Sequence, residues 1–142
     1  KMLENFQVIE IKKTVAKKEA PLNVIVEPKR IRFVKAVVEV LGYPAYVRFL
    51  FNLETRQFAV QVGKGNEGNT VKFSKAKEEQ KTAVLFQNEP MMEVIRGAMK
   101  EWDPETKYIM TGVYSKEDKA VIFDLAKGIP YARRHLKKNI EE

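Results

Sequence analysis

The sequence has no cysteine, a single histidine and only two serines among its 142 residues. Without cysteine there is no disulfide, thiolate nucleophile or cysteine-zinc site, and a reducing cytoplasm fits such a chain. Because His135 is the one histidine, histidine-rich metal sites and most Ser-His catalytic arrangements are excluded as well. Ser74 and Ser115 lie in polar, turn-like stretches, which is typical of surface positions.

The carboxylates show no catalytic spacing either. The chain has three aspartates, at Asp103, Asp118 and Asp124, and its glutamates mostly belong to polar runs such as Glu78–Glu79. A carboxylate pair formed across the fold is left open by the sequence, but no pattern indicates one. We therefore expect a protein that is not an enzyme and that needs neither a metal nor another cofactor.

Long apolar runs are missing too. No stretch of the chain approaches the roughly 20 apolar residues that span a bilayer, and no signal-peptide pattern opens it. We expect a soluble, cytoplasmic protein with no membrane contact.

Apolar residues and positive charge are plentiful. The chain is 44% hydrophobic and 10% aromatic, which is enough for a core in one domain or in two intimately packed half-domains. Its net charge is +7 and its sequence pI is near 9.5. This balance favours a polyanionic partner such as nucleic acid, although many basic soluble proteins bind nothing anionic.

An internal repeat is the most informative pattern. Residues 22–62 are predicted as strand, strand, helix, strand, strand, and residues 70–125 follow the same order with a longer helix. The corresponding positions are Phe33 with Phe86, Tyr46–Val47 with Tyr108–Ile109, Glu54 with Glu117, and Phe58–Val60 with Ala120–Ile122. We expect an α+β fold of two β-β-α-β-β units; two similar sheets that resemble each other by chance are the alternative.

Each unit carries one amphipathic helix. In the first unit, apolar residues recur at the helical spacing from Val34 to Leu41, and Gly42 follows as a C-terminal cap. In the second unit the helix is predicted from about Pro90 to Glu101. Its apolar stripe consists of Met92, Ile95, Met99 and Trp102.

Three segments lie outside the two units. Residues 1–21 form a basic leader, or alternatively an edge strand with a basic linker. The glycine-rich connector 63–69 contains a G-x-G-x-x-G match, but strand-like sequence follows it where a dinucleotide site needs a helix, so a flexible connector is predicted. Residues 126–142 are predicted as a basic C-terminal helix that begins near Pro130.

Two groups of basic residues are candidates for nucleic-acid contacts. The alternation around β-branched and aromatic residues turns Ile31 and Phe33 inward and leaves Arg30 and Arg32 outward. Such a face suits phosphate binding, although a solvated sheet surface has the same pattern. The candidate residues are Lys29, Arg30, Arg32, Lys35, Arg48 and Arg56 on the sheet, and Arg133, Arg134, Lys137 and Lys138 on the C-terminal helix.

The stretch Arg30–Gly42, between a strand and a hairpin, resembles the swapped-hairpin DNA-binding domains of the AbrB and MraZ regulators. In those families a strand enters a short helix that ends in Leu-Gly, and MraZ-type proteins carry two such units in one chain. The resemblance therefore implies a pseudo-dimeric, AbrB-like swapped-hairpin barrel. It also implies DNA contacts by Arg30, Arg32 and Lys35.

The sequence departs from these families at three positions. Val34 replaces the proline that usually ends the second strand, and Val38 and Glu39 replace the arginines expected on the helix. Two functions therefore stay open. One is a DNA-binding, transcription-regulator-like protein that contacts the phosphates of double-stranded DNA. The other is a non-enzymatic protein-interaction or structural module of phage, mobile-element or uncharacterised bacterial origin, whose partner is another protein or a second copy of the chain.

Overall fold

The structure, a computed structural model, describes residues 20–131. The basic leader predicted for residues 1–21 lies almost wholly outside this range, as does most of the segment 126–142. The described chain is an α+β fold with two α-helices and ten strands. The strands are β1 Asn23–Val26, β2 Ile31–Phe33, β3 Tyr46–Asn52, β4 Gln57–Gly63, β5 Val71–Lys72, β6 Val84–Phe86, β7 Tyr108–Thr111, β8 Val113–Ser115, β9 Ala120–Asp124 and β10 Ile129–Pro130; the helices are α1 Lys35–Val40 and α2 Glu89–Ala98.

The strands form two five-stranded antiparallel sheets. Sheet A has the order β10-β7-β1-β2-β6, and sheet B has the order β5-β3-β4-β9-β8. Each sheet therefore takes strands from both predicted units. The sheets are open at their edge strands, so the closed barrel implied by the resemblance is wrong.

Gly112 is where the chain crosses from sheet A to sheet B, between β7 and β8. A Cβ atom at this position would lie 2.6 Å from side-chain atoms of both Val121 and Phe123. The crossing brings the backbone against the core so closely that a glycine is required.

The core lies between the two sheets because inward-facing residues alternate with outward-facing ones along each strand. Val24, Val26, Ile31 and Phe33 of sheet A are fully buried, and they face an equally apolar layer from sheet B. That layer consists of Val47, Phe58, Val60, Val121 and Phe123.

Both helices pack the apolar stripe that the sequence predicts. Val37 and Val38 of α1 and Met92 and Ile95 of α2 are buried. The α2 helix begins at an N-cap, where the Asn88 side chain accepts a hydrogen bond from the N–H of Met91. Within residues 20–131 neither helix is long and apolar enough to cross a membrane.

The start of the last segment differs from its prediction. A short 3₁₀ turn covers Leu125–Lys127, and Ile129–Pro130 forms β10 at the edge of sheet A. Pro130 has no N–H to donate, and an edge strand accepts it where a central strand would not. The C-terminal helix predicted for 126–142 therefore does not begin at Pro130.

Candidate nucleic-acid interface

Arg30 and Arg32 both bind the carboxylate of Glu27. Ile31 and Phe33 point into the core, so Arg32 points outward from sheet A, and Arg30 precedes β2 on the same side. Arg30 Nε lies 2.6 Å from Glu27 Oε1, and Arg32 Nε lies 3.3 Å from Oε2. One buried carboxylate therefore fixes both arginines in place.

The turn between β1 and β2 creates this arrangement. Val26 pairs with Ile31, and the N–H of Glu27 donates to the carbonyl of Arg30 at 2.8 Å. Pro28 and Lys29 then occupy the turn itself, where the fixed φ of proline suits the first central position. Consequently Glu27 and Arg30 lie opposite each other on the outer side of the hairpin.

Lys107 is a further cation at this end of sheet A, and sequence reasoning did not identify it as a site residue. It directly precedes Tyr108, which pairs with Val26, and its charge acts on Glu27. The pairing of β1 with β7 joins segments more than 80 residues apart, which no local pattern indicates. We call Arg30, Arg32 and Lys107, which act on Glu27, together with Lys29 of the adjoining turn, the basic cluster.

Glu27 stays ionised inside the basic cluster. Burial on its own raises the pKa of this carboxyl group, because desolvation disfavours the charged form. Hydrogen bonds from Arg30 and Arg32 and the charges of Arg30 and Lys107 outweigh burial, so the pKa of Glu27 is lower than its ordinary value. At neutral pH the cluster therefore holds four cations and one anion.

The remaining predicted site residues of the sheet lie elsewhere. Lys35 opens α1 beyond the other end of β2, and it is exposed. Arg48 points outward from sheet B, because Val47 and Phe49 on either side of it face the core, and it binds Glu67 at 3.1 Å. Sheets A and B face each other through the core, so Arg32 and Arg48 point to opposite sides of the molecule.

Arg56 lies in a third place, the loop between β3 and β4. Its Nη1 lies 2.8 Å from Glu101 Oε2 and also contacts the carbonyl of Ala98 at the end of α2. The arginines that the sequence suggests as candidates therefore do not form one continuous face. Strand alternation gives the side of a sheet on which a residue lies, but it does not show which sheet the strand joins.

The connector after β4, which the sequence predicts as flexible, forms a loop with several internal hydrogen bonds. Glu67 Oε1 accepts hydrogen bonds from Arg48 Nη2 and from the N–H of Lys64. The hydroxyl of Thr70 binds back to the carbonyls of Lys64 and Glu67, and Gly65 lies against the ring of Tyr46. The connector therefore covers one end of the outer face of sheet B, and β5 follows it.

The four candidates of the C-terminal segment, Arg133, Arg134, Lys137 and Lys138, lie outside the described residues. The described chain ends at Tyr131, whose N–H donates to the carbonyl of Lys107 at 2.8 Å. Residues 20–131 hold 17 of the 26 basic residues and 14 of the 19 acidic ones, an excess of three positive charges. More than half of the net charge of +7 therefore belongs to the two terminal segments.

A cleft of about 310 Å³ adjoins the basic cluster. One wall is a face of α2 with Glu89, Met92, Glu93 and Arg96, and the other is the turn residues Pro28 and Lys29. Within residues 20–131 no group of three or more histidine and carboxylate side chains has the arrangement of a metal site. What the basic cluster offers chemically is the binding of an anion.

No protein family, curated protein or solved structure matches this chain.

Proposed function

We propose that this protein binds double-stranded DNA through phosphate contacts made by the basic cluster, in the manner of a small transcription regulator. The observation that carries the proposal is that Arg30, Arg32 and Lys107 all act on one carboxylate, Glu27, with Lys29 in the adjoining turn. The four cations of the basic cluster outnumber Glu27 and the two glutamates, Glu89 and Glu93, that line the adjoining cleft, and an excess of positive charge attracts a polyanion.

The way Glu27 holds the two arginines supports this role. Each arginine contacts Glu27 through Nε, and within the described residues the terminal nitrogens of Arg30 and Arg32 make no hydrogen bond. Their side chains stay 42% and 35% exposed. Arg56, by contrast, uses a terminal nitrogen for Glu101. The guanidinium groups of the cluster are therefore oriented and still have donors for phosphate oxygens.

We further propose that the chain is a pseudo-dimer of the two β-β-α-β-β units. Arg32 pairs with Leu85 at the centre of the β2–β6 pairing, and Ala59 pairs with Ile122 at the centre of the β4–β9 pairing. In this pseudo-dimer Phe58–Val60 correspond to Val121–Phe123, one residue beyond the match with Ala120–Ile122 that the sequence suggests. In addition, the pairing of β1 with β7 has a counterpart in the pairing of β5 with β3. These relationships are the ones that an approximate two-fold axis through both sheets produces.

The basic cluster occurs once in this pseudo-dimer. Leu85 stands opposite Arg32 across the proposed axis, and no arginine replaces it in the second unit. Within residues 20–131 the proposed DNA contacts are therefore asymmetric, because they come from one end of sheet A.

The test is the salt dependence of binding to a random-sequence duplex, measured by fluorescence anisotropy. The double variant Lys29→Gln/Lys107→Gln removes two exposed charges and leaves the Glu27 contacts intact. We expect it to weaken binding and to lower the slope of log K against log salt by about two, since each phosphate contact contributes about 0.9. The matched control, Lys116→Gln/Lys119→Gln, removes two exposed lysines from the β8–β9 loop and should leave the slope unchanged.

Two outcomes would overturn the proposal. One is the absence of detectable binding at about 50 mM salt, where phosphate contacts are strong. The other is an equal change of slope in both double variants, which would mean that DNA affinity depends on the net charge of the protein and not on the position of the lysines. A third variant, with Arg133, Arg134, Lys137 and Lys138 changed to glutamine, measures the contribution of the C-terminal segment separately.

Protein interaction is the second candidate function, and one observation favours it. Leu50 and Val113, on the outer face of sheet B, are 44% and 69% exposed. Exposed apolar side chains that are contiguous on one face mark interaction surfaces.

A further inference from the structure

Four apolar side chains form a row across the outer face of sheet B. Leu50 pairs with Ala59, Ala59 with Ile122, and Ile122 with Val113, so the row crosses β3, β4, β9 and β8. Cross-strand partners point to the same side of a sheet, and the buried neighbours Phe58, Val60, Val121 and Phe123 point to the other side. We call this the sheet B row.

The outer face of sheet B around the sheet B row has no excess of charge of either sign. The residues that flank it on the same face are mostly neutral, among them Asn52, Gln57, Gln61 and Ser115. Arg48 is paired with Glu67, and the remaining charges of this face, Lys72 on β5 and Asp124 on β9, have opposite signs. In a chain with 32% charged residues this face is an exception.

We propose that the sheet B row binds a second copy of this chain. Two copies that each carry a charge of +7 repel each other, and they meet at least cost through a face that carries no excess of positive charge. The outer face of sheet A does not qualify. Its own row, from Ile129 to Leu85, contains Arg32 and adjoins the basic cluster.

The arrangement of the row also favours an isologous contact. Ala59 and Ile122 lie at its centre, and Leu50 and Val113 lie one strand further out on either side. Such a row has similar apolar groups at both ends, so it meets a copy of itself under a two-fold operation. A depression of about 160 Å³ beside Leu50, Ala59 and Ile122 can receive a side chain from the other copy.

The size of the face sets the strength of the association. Four strands about 4.8 Å apart and three outward positions along each give a face of roughly 400 Å². A stable complex buries about 800 Å² on each partner, so the dimer is weak and forms at high concentration. The basic clusters stay on the far side of each copy, and the dimer presents two of them in opposite directions.

Sedimentation equilibrium of the full chain, from about 10 μM to about 1 mM, tests the proposal, since a dissociation constant near 1 mM still corresponds to about 4 kcal/mol. We expect the weight-average mass to rise towards twice the monomer mass, and to rise further with added salt because salt screens like charges. Leu50→Asp should abolish the rise. The matched control is Leu85→Asp on sheet A, where the side chain is 46% exposed.

Three results would overturn the proposal. They are a constant mass up to about 1 mM, a rise that Leu85→Asp abolishes and Leu50→Asp does not, or an association that salt weakens. If Leu50→Asp proves unfolded by circular dichroism, Val113→Asp at the edge strand β8 replaces it as the test variant. The readout contains no DNA, so failure here is separate from failure of the DNA-binding proposal.

Discussion

Trp102 and Tyr108 stack face to face, with ring centroids 4.2 Å apart and planes only 6° from parallel. The guanidinium of Arg96 lies over both rings, 5.6 Å and 5.9 Å from their centroids. Its terminal nitrogens donate to the carbonyls of Asp103 and Thr106. These contacts fasten the loop that follows α2 to β7 of sheet A.

Replacing Arg96 by methionine should destabilise the protein. Methionine keeps much of the apolar stem but loses the contact with the rings and both carbonyl hydrogen bonds, which together are worth about 2 kcal/mol. Trp102 is the single tryptophan, so its fluorescence reports this site directly in urea unfolding. Arg96→Lys should be almost as unstable, because lysine has no planar group for the two carbonyls. If Arg96→Lys is as stable as the unchanged protein, the positive charge over the rings stabilises this site without the two carbonyl hydrogen bonds.

Replacing Glu27 by glutamine should also destabilise the protein at neutral pH. The side chain is only 8% exposed and satisfies Arg30 and Arg32, so its loss leaves two guanidinium groups without their carboxylate. We expect a decrease of about 2 kcal/mol in the free energy of unfolding, typical of hydrogen bonds to charged groups. Glu39→Gln on the exposed face of α1 is the control and should change it little. An equal effect of both substitutions would contradict the role of Glu27.

The pH dependence of stability should report the same carboxylate. The pKa of Glu27 is lower in the folded protein than its ordinary value, so the unfolded chain binds the proton first as the pH falls. The stabilisation is complete above the ordinary glutamate pKa and is lost as the pH falls through the lower folded value. In Glu27→Gln this part of the acid destabilisation should be missing, which urea unfolding at a series of acidic pH values measures.

Two glycine substitutions should have opposite effects. Gly112→Ala places a Cβ atom 2.6 Å from Val121 and Phe123 in the core, and such overpacking costs about 1–3 kcal/mol. Gly97→Ala meets no atom within 4 Å on a helical backbone, so it should stabilise α2 by about 0.5–1 kcal/mol. Thermal unfolding of both variants checks the pair. If Gly112→Ala leaves the melting temperature unchanged, the backbone at the crossing between the sheets can shift to make room for the Cβ atom.

Much of the fold could be predicted from local patterns. The hairpin β3–β4 follows the alternation of Phe58 and Val60 with polar residues, and the stripes of both helices are buried as expected. The short edge strands β8 and β10 escaped prediction. Val113–Ser115 and Ile129–Pro130 are too short for alternation to be visible, and they exist because a neighbouring strand offers hydrogen bonds to them.

The candidate site was predictable only in part. Arg32 lies on the outer side of β2 as the alternation predicts, with Arg30 just before it, but Arg48 points outward from the other sheet and Arg56 pairs with Glu101 beyond the end of α2. Their glutamate partners are 19 and 45 residues away in sequence, and such pairings follow from the packing of distant segments. Lys107 was missed for the same reason, because only the β1–β7 pairing brings it to Glu27.

The last prediction concerns the loops of the two outer hairpins of sheet B. Arg56 and Lys119 each precede a strand, and both have positive φ, at 58° and 52°. A left-handed backbone costs an L-residue about 1–2 kcal/mol, whereas glycine loses about 0.5–1 kcal/mol through the entropy of the unfolded chain. Lys119→Gly should therefore stabilise the protein by about 0.5 kcal/mol. Arg56→Gly removes the same backbone strain but also loses the exposed pair with Glu101, so it should stabilise the protein less than Lys119→Gly does. Urea unfolding followed by Trp102 fluorescence measures both, and a Lys119→Gly variant less stable than Arg56→Gly would show that the two loops are not built alike.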